Sequence, residues 1–287
     1  MSGAIIAQGK EHAVTDPAVA PQTRIVRRHT PLVRICHWIN ALAFVLLAMS
    51  GMQIFNAHPA LNFGQRTDFD HPAFELRAIE QDGKIVRGET ALFGVAFTTT
   101  GVLGASKGAD GSLESHGFPQ LVTLPAIQDL ATGRRWHFFF AWILLFNGLV
   151  YVGNLFARRR WGEFVPSLAD LRALPHTFIE HVKLRFPHGE EALRYNVLQK
   201  LAYLSVIVAF PVLILAGLTM SPGVDAALPW LQDVFGGRQS ARAIHFILAA
   251  YLVFFLIVHL AMVVLSGPIN NLRGMITGRY KIVEERT

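Results

Sequence analysis

The stretch ARAIHFILAAYLVFFLIVHL, residues 241–260, decides how the rest of the chain is read. After Arg242 it carries no Asp, Glu, Lys or Arg, and the uncharged run continues from Ala243 to Leu272. A helix needs roughly 20 such residues to cross about 30 Å of hydrocarbon, so this run predicts a membrane span. Two histidines lie inside it, His245 and His259. Ionisable side chains in a membrane helix are costly and mark function. Their separation of 14 residues corresponds to about 21 Å of rise and leaves them about 40° from eclipsed. One helix face thus presents a histidine near each membrane surface.

Three further runs lack charge altogether: Ile35–Ala57, Trp136–Ala157 and Leu201–Val224. The composition agrees, with 52% apolar residues and 16% charged, which is ordinary for a polytopic membrane protein and unusual for a soluble domain. The fold class read from this is an all-α integral membrane protein, a four-helix transmembrane bundle. The segments are an N-terminal tail 1–34, spans at 35–57, 134–157, 201–222 and 243–266, connecting loops 58–133, 158–200 and 223–242, and a C-terminal tail 267–287. Met1–Arg24 holds only the short apolar patch Ala4–Ala7 and no signal-peptide core, so the first span is expected to direct its own insertion. With both termini in the cytoplasm, 17 of the 26 Lys and Arg residues fall on the inner side, as the positive-inside bias requires. The cluster Arg158–Arg160 after the second span is its clearest element. The expected location is a membrane crossed several times, with both termini cytoplasmic and the spans in contact with lipid. The basic balance is topological, and no soluble basic face suggests a nucleic acid partner. Cys36 is the single cysteine, which excludes an intramolecular disulfide, a cysteine-ligated iron–sulfur cluster and a c-type haem attachment.

Topology pairs the histidines. His37 opens the first span and His259 ends the fourth, both at the inner level, while His137 opens the second span at the depth of His245. Two neutral imidazoles facing one another from different helices are the ligation of a six-coordinate b-type haem, with Nδ1–H bonded to a carbonyl and Nε2 on iron. A zinc site would need three or four ligands at one depth, and the sequence offers two per level. The reading is therefore two haem b groups, the inner iron on His37 and His259, the outer on His137 and His245. Gly51 and Gly148 reach the outer and inner depths and either clear room for a porphyrin edge or serve helix packing. Arg34 and Lys200 inside, and Arg134, Arg135 and Arg242 outside, are either partners for haem propionates or interface anchors. His29, His58, His71, His116, His176, His181 and His188 fall in tails and loops and read as solvated.

These residues resemble a known family. RHTPLVRICHWIN (28–40), GRRWHFFFAW (133–142) and the stretch quoted at the outset are similar to the four-helix di-haem cytochrome b subunits of bacterial respiratory enzymes, among them the formate dehydrogenase and nickel–iron hydrogenase membrane subunits and bacterial cytochrome b-561. SGMQIFNAHPAL (50–61), YNVLQKLAYL (195–204) and TMSPG (219–223) resemble most closely the thiosulfate reductase cytochrome b subunit branch. The resemblance covers all four spans and implies a membrane electron carrier. Such a subunit passes electrons between the quinone pool and a periplasmic dehydrogenase or reductase, commonly a molybdenum or nickel–iron enzyme. Its axial ligands match His37, His137, His245 and His259. The long loop 58–133 departs from the smallest members of the family, which leaves the particular partner open.

That loop is too long for a simple connector. AFELRAIE, then Gln81-Asp82-Gly83, then KIVRGETALFGVAF predict a hairpin on an Asp-Gly turn, hence a small β-containing periplasmic cap over the outer haem. LPAIQDLATG (124–133) suggests a short surface helix before the second span. Loop 158–200 reads as amphipathic helical pieces broken at Pro175 and Pro187. Asn40, Lys200 and Tyr203 are the polar candidates for a quinone head group at the inner level, or else helix caps and propionate partners. Two alternatives stand beside the quinone-linked electron carrier. One is a stand-alone haem enzyme that oxidises superoxide and reduces quinone; the other is a histidine-gated transporter, which would be colourless.

Overall fold

Local signals start each long helix before its uncharged run begins. A computed structural model describes residues 22–108, 110–185 and 193–284; the patch Ala4–Ala7, Pro187 and His188 lie outside the described residues. Strand β1 (Gln22–Arg27) leads into helix α1 (Pro31–Asn56), capped by the Thr30 hydroxyl, which accepts from Val33 N at 3.4 Å, with Pro31 in the first turn. Pro suits that position because its missing N–H has no helical partner there. Strands β2 (Ala60–Leu61), β3 (Phe74–Gln81), β4 (Lys84–Leu92), β5 (Val95–Thr98), β6 (Ala105–Lys107) and β7 (Leu113–Ser115) follow, and then a 3₁₀ turn at Gln120–Val122. Helix α2 (Leu130–Ala157) is capped by Asp129, which accepts from Thr132 N at 3.0 Å. After a second 3₁₀ turn at Arg160–Glu163 come α3 (Leu168–Arg172), α4 (Leu174–Val182) and α5 (Val197–Thr219), the last opened by a reciprocal Asn196–Gln199 capping box. Short helices α6 (Pro222–Ala227) and α7 (Trp230–Val234) precede α8 (Arg238–Leu265), α9 (Pro268–Thr277) and strand β8 (Arg279–Glu284).

Among the described residues α1, α2, α5 and α8 are the four helices long and apolar enough to cross a membrane. Little of their apolar surface is covered by protein; only 6% of the most apolar window of α8 is buried, so most of it faces lipid. The uncharged run Ala243–Leu272 does not form one helix. It breaks at Ser266–Gly267, where Pro268 begins α9, since proline favours a first turn and breaks a helix interior.

The helices pack as two pairs. Between α1 and α2, Ala43, Leu47, Phe140 and Leu144 form a buried cluster against which Phe210 of α5 packs. Asn147 Nδ2 adds a polar tie, donating to Cys36 O at 2.8 Å and Asn40 Oδ1 at 2.7 Å. Between α5 and α8, Ser205 and Tyr251 share a hydroxyl–hydroxyl bond of 2.5 Å.

The cap is β-structured, as its sequence predicts. Asp82 and Gly83 join β3 to β4 with φ of 52° and 72°, the two positive values that a type I′ hairpin turn requires. Sheet order is β2-β3-β4-β5, all antiparallel, with β6 and β7 as a second pair. Phe55, Leu61, Leu76 and Ala243, with Phe74, Phe118 and Phe246 around them, seat the cap on the ends of α1 and α8. The end of the bundle carrying the cap is called upper below. At the lower end β1 pairs with β8 and Arg28 N donates to Gly278 O at 3.0 Å, so the two described chain ends lie on one side. This sheet was not anticipated in sequences read as tails.

Three expectations change. LPAIQDLATG forms no separate surface helix: Leu124–Asp129 is non-helical, and Leu130–Gly133 is the first turn of α2. Asp129 sets that boundary by capping, and Pro125 disfavours helix on its own N-terminal side. His116 is not solvated; its ring is nearly buried and lies 2.7 Å from Glu114. His29 is half-buried, and burial followed by the nearby Arg28 and Arg160 charges pushes its pKa down to about 4.

Two outcomes follow for stability. Below pH 6.5 an unfolded chain protonates His29 while the folded one resists down to about 4, so the stability this neutral ring leaves intact should decline as pH falls through that window. His29→Gln should flatten the fall in thermal midpoint between those pH values; an unchanged profile would assign the pH dependence elsewhere. In the cap, a Cβ at Gly88 would lie 2.4 Å from Ala105 N and from Leu103 O. Gly88→Ala should therefore cost about 1–3 kcal/mol and appear as faster proteolysis of the cap. Gly153→Ala, whose Cβ meets nothing within 4 Å, should leave proteolysis unchanged.

Candidate functional site

The four span histidines form two pairs, each bridging non-adjacent helices in the chain. At the upper level His137, two turns into α2, faces His245, two turns into α8, with ring centroids 6.1 Å apart. At the lower level His37 of α1 faces His259 of α8 with centroids 6.4 Å apart. No hydrogen bond joins the rings of either pair. Two imidazoles each about 2 Å from one metal place their centroids roughly 6 Å apart once the ring radii are added. Both pairs have that spacing.

Each upper ring is oriented by a polar atom of the neighbouring helix, beside a glycine. His245 Nδ1 lies 2.8 Å from Leu213 O, and Gly217 stands four residues further along α5. A Cβ on Gly217 would sit 3.0 Å from His245 Cε1 and 3.1 Å from Nδ1, so a side chain there would crowd the ring against that carbonyl. On α1, Gly51 stands four residues beyond Leu47. A Cβ on Gly51 would sit 3.4 Å from His137 Cε1. His137 Nδ1 also lies 3.2 Å from Ser50 Oγ. That hydroxyl faces Leu46 O at 2.7 Å and Leu47 O at 3.2 Å and donates there, so it accepts from the ring. Both Nδ1 atoms therefore carry the proton, which leaves the Nε2 lone pairs for a metal.

The lower pair is less constrained. His37 Nδ1 is buried with no hydrogen-bond partner, and its ring stands edge-on to Trp38. The His259 ring stacks on Phe255 at 5.9 Å. Gly148 of α2 has nothing within 4 Å of where its Cβ would be, so it leaves space. Gly51 does not; that space is filled by His137.

The remaining sequence candidates divide. Lys200 Nζ is 2.8 Å from Asp170 Oδ2, and this bond is the first cause holding the Asp170 carboxyl at a pKa of about 2, so the ammonium is already paired. Asn40 Oδ1 is taken by Asn147. Tyr203 packs in a ring cluster with Tyr195 and Phe164 at the lower level. Arg34 Nη1 donates to Ile276 O at 2.6 Å, while its Nε is buried and unpartnered. Arg242 donates to His58 O and lies over the Phe55 ring. Arg134 lies 5.6 Å over Phe138, and both it and Arg135 are exposed. Sequence reasoning missed Ser50, Leu213 and Gly217. The glycine was readable as a small residue in a helix of large ones; a carbonyl's role has no sequence signal.

Among the described residues no three or more His, Cys, Asp or Glu side chains converge on one point, which leaves the two-histidine sites and a ligand that fills its own remaining coordination positions. Haem is such a ligand. The fixed Nδ1 protons and the ring spacing fit it.

A four-helix membrane protein with paired histidines at two depths is the class that fold and site define. The family model for prokaryotic cytochrome b561 matches residues 28–278, and the chain belongs to that family. It is thus a membrane haem b protein of electron transport. The chain is also 31% identical over 238 residues, 83% of its own length and 90% of the relative's, to the putative protein-methionine-sulfoxide reductase subunit YedZ1 of Azospira oryzae.

Gly217→Val should displace the His245 ring from Leu213 and lower the haem b content of the purified protein by about half or more. Gly153→Val should retain the wild-type content. Equal haem in both variants would show that the carbonyl bond does not hold the site.

Proposed function

We propose that this chain is a di-haem electron-transfer subunit, with one haem b held by His37 and His259 and a second by His137 and His245. The observation carrying this reading is the repetition of one ring spacing, 6.4 and 6.1 Å, at two depths along α8. Bound haem supplies reversible one-electron chemistry. The protein's part is to present Nε2 lone pairs, fix the tautomer of the upper rings through Ser50 and Leu213, and exclude water with the apolar helices. Arg34, Arg134, Arg135 and Arg242 lie near the two membrane surfaces, where they would meet propionates.

The bias of 17 of 26 basic residues supports placing the β1–β8 end in the cytoplasm and the cap in the periplasm of a bacterial inner membrane. On that orientation electrons pass between the quinone pool and a periplasmic oxidoreductase of the molybdenum type. The name of the Azospira relative supports reduction of protein methionine sulfoxide as the partner's chemistry. For the quinone head group Tyr203 is the better-placed of the original candidates, since Asn40 and Lys200 are engaged elsewhere.

Haem assay per chain, with reduced-minus-oxidised spectra, tests the reading. The wild type should carry two b haems; His259→Ala and His245→Ala should each carry one, with different spectra. A wild type with one haem, or either variant keeping two with an unaltered spectrum, would refute the pairing.

A further inference from the structure

Charge is uneven along β3–β5 of the cap. Its hairpin turn Gln81–Lys84 is flanked by Glu80, Asp82, Lys84 and Arg87, and Arg77 is ion-paired with Glu75 and Glu89, whereas no Asp, Glu, Lys or Arg occurs between Glu89 and Lys107. The charge-free stretch begins beside the helix ends. Phe74, at the start of β3, packs on Phe55 of α1 and Phe246 of α8 with centroids 6.3 and 5.5 Å away. Leu92 lies opposite Phe74 and Val95 opposite Leu92, so the turn between β4 and β5 sits level with the end of α1. The charged turn lies roughly 25 Å away along the strands. At the apolar turn Leu92, Val95 and Phe97 are exposed, and Phe93 is 72% exposed.

A second segment goes deeper. Leu124 N donates to Met49 O at 3.2 Å, and Gln53 Nε2 donates to Ile127 O at 2.9 Å. These partners are three to seven residues before the end of α1, about 5–10 Å below it, on the turn where Gly51 meets the His137 ring. After the 3₁₀ turn at Gln120–Val122 the segment is irregular; it carries no charge from Gly117 to Gln128, and exposes Leu121 at 88% and Ile127 at 77%. Part of its backbone is satisfied locally: Pro119 and Pro125 have no N–H, Val122 N bonds Pro119 O, and the Thr123 hydroxyl reaches Gln120 O and Ala126 O. Such local partners lower the cost of irregular backbone at a membrane interface.

We infer that the cap is a monotopic element whose β4–β5 turn and Leu121–Ile127 segment are embedded in the lipid leaflet on the His137–His245 side. The occupant of these apolar surfaces is the bilayer, because they are continuous with the lipid-facing bundle and because the Leu124–Ile127 stretch is bonded to α1 below its upper end. Phe93 and Phe97 then act as apolar anchors at the interface.

The test uses the full chain with Cys36→Ala in lipid nanodiscs, labelled with bimane at Phe93→Cys, Ile127→Cys or Lys84→Cys. Haem dims all three labels, so each is read as the ratio of quenching by brominated lipid to quenching by iodide. That ratio should be several-fold larger at positions 93 and 127 than at 84. Equal ratios at all three would place the segments in water and overturn the inference. Labels at 93 and 127 reached by neither quencher would mean a protein covers them, and would overturn it equally. Haem content checks that each variant is folded.

Discussion

An imidazole proton held by a backbone carbonyl is the small interaction on which the upper site rests. A helix carbonyl normally spends itself on the N–H four residues later, and the side chain at that later position screens its second lone pair. Glycine at Gly217 removes the screen over Leu213 O, and His245 takes the opening. On α1 it is the Ser50 hydroxyl that accepts from His137, and Gly51 leaves room for that ring. The tautomer is thereby chosen without any charged group in the apolar interior, where a carboxylate partner would itself be costly.

The same contacts explain how the bundle is assembled. Each upper histidine leans on its own packing neighbour, His137 on α1 and His245 on α5, and reaches across to the other helix pair. Polar ties such as Asn147 with Asn40, and Ser205 with Tyr251, stay within a pair. Helices in lipid have no hydrophobic drive to associate. On the proposed reading iron shared between α8 and each of α1 and α2 supplies the cross-link between the two halves, so cofactor binding and bundle assembly are one process.

Much of this was legible in the sequence because lipid imposes simple rules. Charge-free runs gave the four long helices, and an Asp-Gly turn between alternating segments gave the β-hairpin. The depth and helical phase of His37, His137, His245 and His259 gave the residues that the structure brings into pairs. Helix starts were misjudged by several residues, since Thr30, Asp129 and Gly237 set them by backbone geometry, whereas the reading followed charge. Leu124–Asp129 looked helical by composition, yet Asp129 is a cap and its neighbours bond to α1. Pairing of β1 with β8 joins segments some 250 residues apart, and no local pattern signals so remote a partner. Lys200 and Asn40 were chosen as polar groups at the right depth, but Asp170 and Asn147, which occupy them, become neighbours only on folding.

The most direct measurement of the central claim is quantitative low-temperature electron paramagnetic resonance of the oxidised protein in lipid. Iron held between two imidazoles is low-spin, so the account predicts two low-spin ferric signals that together equal two spins per chain. A high-spin signal of comparable intensity, or low-spin intensity of one spin per chain, would contradict it.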